Sequence, residues 1–328
     1  MSSEPLPSPR AHLAASLQLF DALAEASGGL GAFPGAAQWR GHLHRPRALP
    51  SVVSARNNGL KMDGYVTRGP DGVAWGFACN DRWEGRAFWA VARGIAADLD
   101  ALNVAAAAGG YDVARAEALR EALGTSSLTI SVGFDREGAA PRLKLYLQEA
   151  IQGTGVSTVG QLRRHEALLG ARLPAGLHDE LKVGVVTLDL RADGSHGAKV
   201  YLGGAEAQEL VETLTRSLPR VARELETLAG ALPSPSLASY YYATLRLEDE
   251  LRVALNPIYD VHRRGFGADG ALDDTWDEVR ALFAAAGRTD EDIDAVVDTL
   301  PSLRLVPTAT AVERRATSAD LYMAAWPR

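Results

Sequence analysis

Two short pieces of the chain carry the same polar pair: Arg142-Leu-Lys144-Leu-Tyr146 and Lys199-Val-Tyr201. At the strand period of two, Arg142, Lys144, Tyr146 and Gln148 share one face, and Leu143, Leu145 and Leu147 share the other. Lys199 and Tyr201 likewise oppose Ala198, Val200 and Leu202, and across the preceding turn Thr187 and Asp189 oppose Val186, Leu188 and Leu190. Fixed cations can stabilise an anion as its charge grows, and a tyrosine ring offers its π face to a cation. Other clusters promise less. Asp273-Asp274-Thr-Trp-Asp277 could gather carboxylates around Mg²⁺, but it follows the Gly270 turn and opens a helix. There, acidic residues cap exposed N–H groups and meet the positive end of the dipole. Asp290-Glu-Asp292, after Thr289, reads the same way. His42 and His44 stand two apart without a metal-site spacing, no Gly-x-Ser-x-Gly elbow occurs, and Gly153-Thr-Gly155 reads as a plain loop.

The elements that must position these residues alternate in kind. Leu13, Leu17, Phe20, Leu23 and Ala24 form one helical face. A first hairpin is predicted from Ser51–Ser54 and Met62–Thr67, across the turn residues Gly69 to Gly72, to Val73–Asn80. Helical spacing returns at Gly85–Leu102 and Val113–Leu123. Leu128–Phe134 and Arg142–Gln148 make a second hairpin, and Val159–Leu169 is helical. Val183–Leu190 and Ala198–Leu202 make a third; helices follow at Ala205–Arg216 and Arg220–Leu232. A fourth hairpin spans Tyr240–Leu247 and Leu251–Tyr259. Helices near Asp274–Ala285 and Asp290–Leu300 precede a fifth, Leu303–Val312 and Ala319–Trp326.

Hairpins alternating with helices at intervals of roughly 50 to 65 residues amount to an internal repeat. Hairpins make antiparallel strands, so a doubly wound parallel sheet is excluded. The amphipathic helices need an apolar surface, which the leucine and valine faces of the strands supply. The expected fold is α+β, five hairpins between helices. If the ten antiparallel strands close into a barrel ringed by helices, rather than stay an open sheet with its polar face in water, the Lys-x-Tyr faces turn into a lumen wide enough for a ligand.

Composition agrees with one large globular domain. The 328 residues are 47% hydrophobic and 23% charged, and 34 Lys and Arg against 41 Asp and Glu give a net charge of −7. That balance argues against nonspecific nucleic-acid or membrane-surface binding. The single cysteine, Cys79, allows neither an intramolecular disulfide nor a cysteine zinc site. No apolar run reaches the roughly 18 residues of a membrane span. Residues 1–10 read as a frayed tail rather than a signal peptide, 11–328 as one domain, and the cytoplasm as the compartment.

In its repeat order and in Arg142-Leu-Lys-Leu-Tyr146, Lys199-Val-Tyr201, Pro50-Ser-Val-Val-Ser54, Gly59-Leu-Lys-Met-Asp63 and Tyr322, the chain resembles the aromatic prenyltransferases of the ABBA barrel type, especially the dimethylallyltryptophan synthase branch. The resemblance implies a ten-stranded antiparallel barrel of five αββα repeats, and transfer of an allylic group, dimethylallyl or longer, from its diphosphate to an aromatic small molecule of indole type, in secondary metabolism. It implies no cofactor, and a monomer or homodimer. Arg142, Lys144, Lys199 and Arg252 would bind the diphosphate. Tyr146, Tyr201 and Tyr322 would shield the allylic cation, Asp63 would take the acceptor's proton, and Trp75 and Phe77 would line the acceptor pocket.

The chain departs from that pattern in three places. Val73–Cys79 carries Trp75 and Phe77 but no cation where an Arg is expected, Leu128–Phe134 has no basic residue, and in hairpin four Arg252 and Asn256 stand where a Gln-x-Tyr pair is expected. Two other classes compete. A barrel that only contains a hydrophobic molecule has no need of three cations aimed at one spot. A Mg²⁺-dependent terpene synthase would use Asp273, Asp274 and Asp277, but that fold is all helical.

Overall fold

A computed structural model describes 61–69, 72–84, 110–124, 127–133, 142–148, 157–204, 206–234, 236–247, 251–259, 271–289, 302–314 and 318–327, with single helical positions within 14–25, 89–100 and at 294. The strand expected at 51–54, the Gly153 loop, the His42/His44 pair and most of the helix expected at 290–300 lie outside these residues.

Eleven strands form one sheet: β1 Lys61–Gly69, β2 Gly72–Glu84, β3 Ser127–Gly133, β4 Arg142–Gln148, β5 Ser157–Thr158, β6 Lys182–Leu190, β7 His196–Gly204, β8 Ala238–Leu247, β9 Leu251–Tyr259, β10 Leu303–Glu313 and β11 Ser318–Pro327. Each expected hairpin is present as an antiparallel pair, β1–β2, β3–β4, β6–β7, β8–β9 and β10–β11. The hairpins pair with one another in sequence order, β11 returns to β1, and β4 pairs with β6, so the sheet curls round. The two-residue β5 only extends the β6 end.

Alternation decides which face is which. In β4, Leu143, Leu145 and Leu147 are buried while Arg142, Lys144 and Tyr146 are partly exposed. In β7, Ala198, Val200 and Leu202 are buried between the partly exposed Lys199 and Tyr201. The apolar set joins one cluster with the helices α1 Val113–Leu123, α4 Ala207–Ser217, α5 Pro219–Ala229 and α6 Ala271–Ala285 through Leu119, Leu214, Leu225 and Leu282. That surface is the outer face; Lys144 and Lys199 belong to the inner one. Burying one Leu or Val side chain contributes about 1.5–3 kcal/mol, so a one-residue slip of β4, which would expose three leucines, is excluded on energy.

The segment expected as one helix at 159–169 is two short ones, α2 Val159–Arg163 and α3 Glu166–Leu169. Thr158 starts α2 with a reciprocal capping box to Gln161, and Gly170, at φ +72°, ends α3. Arg115 donates to the carbonyls of Ala167 and Leu168 and ties this end to α1.

Candidate functional site

Directly opposed residues of antiparallel strands share a face, so the register assembles the inner face row by row. One row runs Asn80, Ser131, Lys144, Asp189, Gly197. The next runs Arg82, Thr129, Tyr146, Thr187, Lys199, Arg246, Arg252, and beyond it lie Val185, Tyr201, Thr244 and Ala254.

At the centre is Asp189, buried on β6. Its Oδ2 lies 3.5 Å from Nη1 of Arg142. Burial pushes this carboxyl up, but Lys144, Arg142, Lys199 and Arg191 together outweigh burial and hold it below the usual carboxylate range. Lys199 is affected in the opposite sense. Burial, then Lys144 and Arg246, lower its ammonium to about 7 against the pull of Asp189 and Asp320. Three residues named from sequence, Arg142, Lys144 and Lys199, therefore act on one point.

Arg252 occupies the same row but is already engaged. Its Nε and Nη2 donate to Oε1 and Oε2 of Glu313 at 2.6 and 2.9 Å, and Glu313 is only 1% exposed. This is a bidentate pair, among the stronger charge-assisted arrangements. Arg246, between Lys199 and Arg252 in the register, sits 3.9 Å from Asp320 of β11.

The tyrosines follow the cations along the strands. Tyr146 is separated from Lys199 only by Thr187 in its row, and Tyr201 stands two residues beyond Lys199. Burial raises the Tyr201 phenol to about 12, so it stays protonated and keeps its ring as a neutral π surface. Its ring meets Tyr242 edge to face at 5.8 Å. Thr244 donates to Oδ1 of Asn256 at 2.5 Å beside this pair. Tyr322 is half-buried on β11, two residues from Asp320, and its register partners are Ala309 and Tyr65.

Asp63 pairs with Ala78 and stands two residues along β1 from Tyr65. Trp75 and Phe77 fall elsewhere. Their partners Val66 and Gly64 pair in turn with Leu321 and Met323, both fully buried in the outer core. In the register these positions alternate with those of Asp320 and Tyr322.

Sequence reasoning passed over Arg82, Arg246, Glu313, Asp320, Tyr240 and Tyr242, and set Asp189 on the polar strand face without a role. Alternation in β8, Tyr240, Tyr242, Thr244 and Arg246 against Tyr241, Ala243, Leu245 and Leu247, was a legible signal for three of them. Arg82 lay beyond the point where the first hairpin was taken to end, yet β2 continues to Glu84.

The acidic string on α6 has another setting. Asp273 and Asp274 are exposed in its first turn, and Asp277 pairs with Arg280 at 3.2 Å, which also reaches Asp294 at 3.0 Å. Among the described residues no group of three His, Cys, Asp or Glu is placed to hold a metal ion, and no helix is long and apolar enough to cross a membrane.

No protein-family model matches the chain, and no curated protein matches it by sequence. Its fold is nevertheless that of the ABBA prenyltransferases. The 5-dimethylallyltryptophan synthase of Streptomyces coelicolor superposes with a TM-score of 0.65 at 15% identity, over 96% of this chain and 98% of that one. The 6-dimethylallyltryptophan synthase of Micromonospora olivasterospora, solved with DMASPP and Trp, gives 0.61 at 16% identity over 97% of each chain. The prenyltransferase PriB, in a ternary complex with L-tryptophan and dimethylallyl thiolodiphosphate, gives 0.64 at 16% identity over 98% of each.

Proposed function

We propose that the chain is an aromatic prenyltransferase that moves an allylic group from its diphosphate to an aromatic small molecule, with an indole as the acceptor class. The observation that carries this reading is the convergence of Arg142, Lys144 and Lys199 on buried Asp189, with tyrosines one strand step away, on the inner face of a fold shared end to end with tryptophan prenyltransferases. In the finer reading the ten long strands wall a single barrel of five αββα units, within one domain of a cytoplasmic enzyme.

Arg142, Lys144 and Lys199 would hold the diphosphate. As the C1–O bond breaks, its electron pair leaves with the diphosphate, where negative charge grows and the fixed cations stabilise it most. They would do so without a metal, taking the part that Mg²⁺ plays in other diphosphate chemistry. Tyr146, Tyr201 and Tyr322 would flank the allylic cation, each cation–π contact contributing about 0.5–2 kcal/mol. The arene then supplies a π pair to form the new bond to the prenyl carbon, and the ring proton passes to the Asp63 carboxylate. The products are the prenylated arene and diphosphate. Arg252, clamped by Glu313, would contribute positive field more than a direct contact, and Arg82, in the Tyr146 and Lys199 row, is the cation that β2 would supply.

Incubation with dimethylallyl or geranyl diphosphate and a panel of indoles and phenols tests the reading. An acceptor mass gain of one prenyl unit is the expected result. Donor binding without transfer to any member would favour a container instead.

A further inference from the structure

We infer that Asp320 restrains a further diphosphate ligand, Arg246, which exchanges from that carboxylate onto the donor when the donor binds; the inference rests on the prenyltransferase reading above. Lys199, Arg246 and Arg252 stand directly opposite one another on β7, β8 and β9. Like charges so placed repel, and each is balanced by a carboxylate from outside the row. Arg252 has Glu313, which accepts from two of its nitrogens at 2.6 and 2.9 Å. Lys199 feels Asp189. Arg246 has Asp320, at a single approach of 3.9 Å, longer than the roughly 2.7–3.2 Å of an N–H···O hydrogen bond.

The Arg246–Asp320 pair reaches over two strands. β11 is three strands from β8, about 14 Å along the sheet at roughly 4.8 Å per strand, with β9 and β10 between. The two side chains meet because the sheet curls and both project from its inner face. Both are mostly buried, yet Nε of Arg246 has no hydrogen-bond partner. The planar fork that grips a carboxylate or phosphate in two places is therefore not filled. Arg246 helps to lower the Lys199 ammonium and Asp320 opposes that effect, so both lie close enough to act on the charge of Lys199. A diphosphate held by Lys144 and Lys199 comes within about one strand spacing, roughly 5 Å, of Arg246. It offers more charge and more acceptor oxygens than one carboxylate at 3.9 Å, and Arg246 moves to it. Arg252, gripped at two nitrogens, stays with Glu313. Asp320 acts through Arg246 as a positioning residue: it weakens donor binding and takes the guanidinium back when diphosphate leaves.

A double-mutant cycle tests this without an acceptor. Inorganic diphosphate and dimethylallyl thiolodiphosphate are titrated calorimetrically into wild type, Asp320→Asn, Arg246→Met and the double variant, at pH 6, where Lys199 carries its proton. Methionine keeps much of the arginine stem, and the double variant leaves neither charge without its partner. Arg246→Met is expected to weaken both anions about tenfold to a hundredfold, as loss of hydrogen bonds to a charged group does. Asp320→Asn is expected to tighten both by about threefold to tenfold, and by less than about twofold once Arg246 is methionine. Weaker or unaltered binding in Asp320→Asn, or undiminished binding in Arg246→Met, would overturn the proposal. So would equal tightening in both backgrounds, the result of a negative field that acts without Arg246. Prenyl transfer by a wild type whose cycle shows no coupling sinks the exchange alone. Coupling without transfer to any acceptor leaves the exchange standing and removes the transferase reading. If neither anion binds the wild type, both fail together.

Discussion

The inner-face rows of β4, β6, β7 and β8 and the first turn of α6 both hold charged residues suited to a diphosphate, and they differ in where the backbone sends them. On the sheet, Arg142 and Lys144 of β4 and Lys199 of β7 come from two sequence-distant strands and act on the one buried carboxylate of Asp189 on a third, β6. On α6, Asp273, Asp274 and Asp277 are close in sequence but exposed, and Asp277 is spent on Arg280. Burial, with the charges of Lys144 and Arg246 added to it, moves a proton affinity strongly, as Lys199 at about 7 illustrates; exposed charges are solvated and screened. A motif in sequence is therefore a weaker sign than a row in register, and four experiments bear on that contrast.

The largest effect is expected at Asp63, the residue assigned to the proton. Asp63→Asn keeps size and some hydrogen bonding but removes the base, so kcat should fall by about 10²-fold to 10⁴-fold. Calorimetry should find donor affinity unchanged. Retention of half the wild-type rate would detach Asp63 from the reaction.

Next come the cations. Lys144→Ala and Lys199→Ala should each lower donor kcat/KM by about 10²-fold to 10³-fold, with kcat falling and KM rising, because the diphosphate charge increases toward the transition state. Unaltered steady-state kinetics in both variants would dismantle the row argument. Lys199 adds a pH signature. It is protonated below about 7 in the free enzyme and neutral above, and the anionic donor prefers the protonated form. Donor KM should accordingly rise as pH climbs through 7, approaching about tenfold per unit, and Lys199→Arg should flatten that rise. A wild-type KM that stays constant from pH 6 to 9 contradicts it.

A smaller effect separates Arg252 from Lys199, though both were read from sequence as diphosphate ligands. Among the described residues no carboxylate lies within ion-pair distance of Lys199, whereas Arg252 is clamped by Glu313. Arg252→Ala leaves a buried carboxylate unpaired, a loss of about 1–3 kcal/mol in stability, visible as a lower Tm. Donor affinity should change less than about threefold, and a larger loss of affinity than of stability would return Arg252 to the binding set.

Why the fold was legible and parts of the site were not follows from the range of each signal. Period-two alternation is local, so all five hairpins and the Lys-x-Tyr face could be read from neighbours along the chain. Strand partners are not local: Arg252 and Glu313 lie 61 residues apart, and nothing in either segment announces the other. Arg82 lies beyond Asn80, where period-two alternation of apolar residues stops, while seven pairings with β3 keep that stretch extended.

The least effect is expected at the acidic string, and its smallness is the informative part. Asp277 is 75% exposed at its side chain and its partner Arg280 also reaches Asp294, so Asp277→Asn removes one arm of a solvated surface network. Exposed pairs of this kind contribute about 0–1 kcal/mol. Arg280 keeps a carboxylate at 3.0 Å after the change, and Asp273 and Asp274 still face the helix start. Tm should move by no more than a degree or two and prenyl transfer by less than twofold, with EDTA leaving most activity intact in both wild type and variant. A Mg²⁺-dependent diphosphate site at α6 would behave otherwise: Asp277→Asn would cost far more in rate than in stability, and EDTA would abolish turnover. That outcome would move the donor from the sheet rows to the helix and reverse the comparison between the two regions.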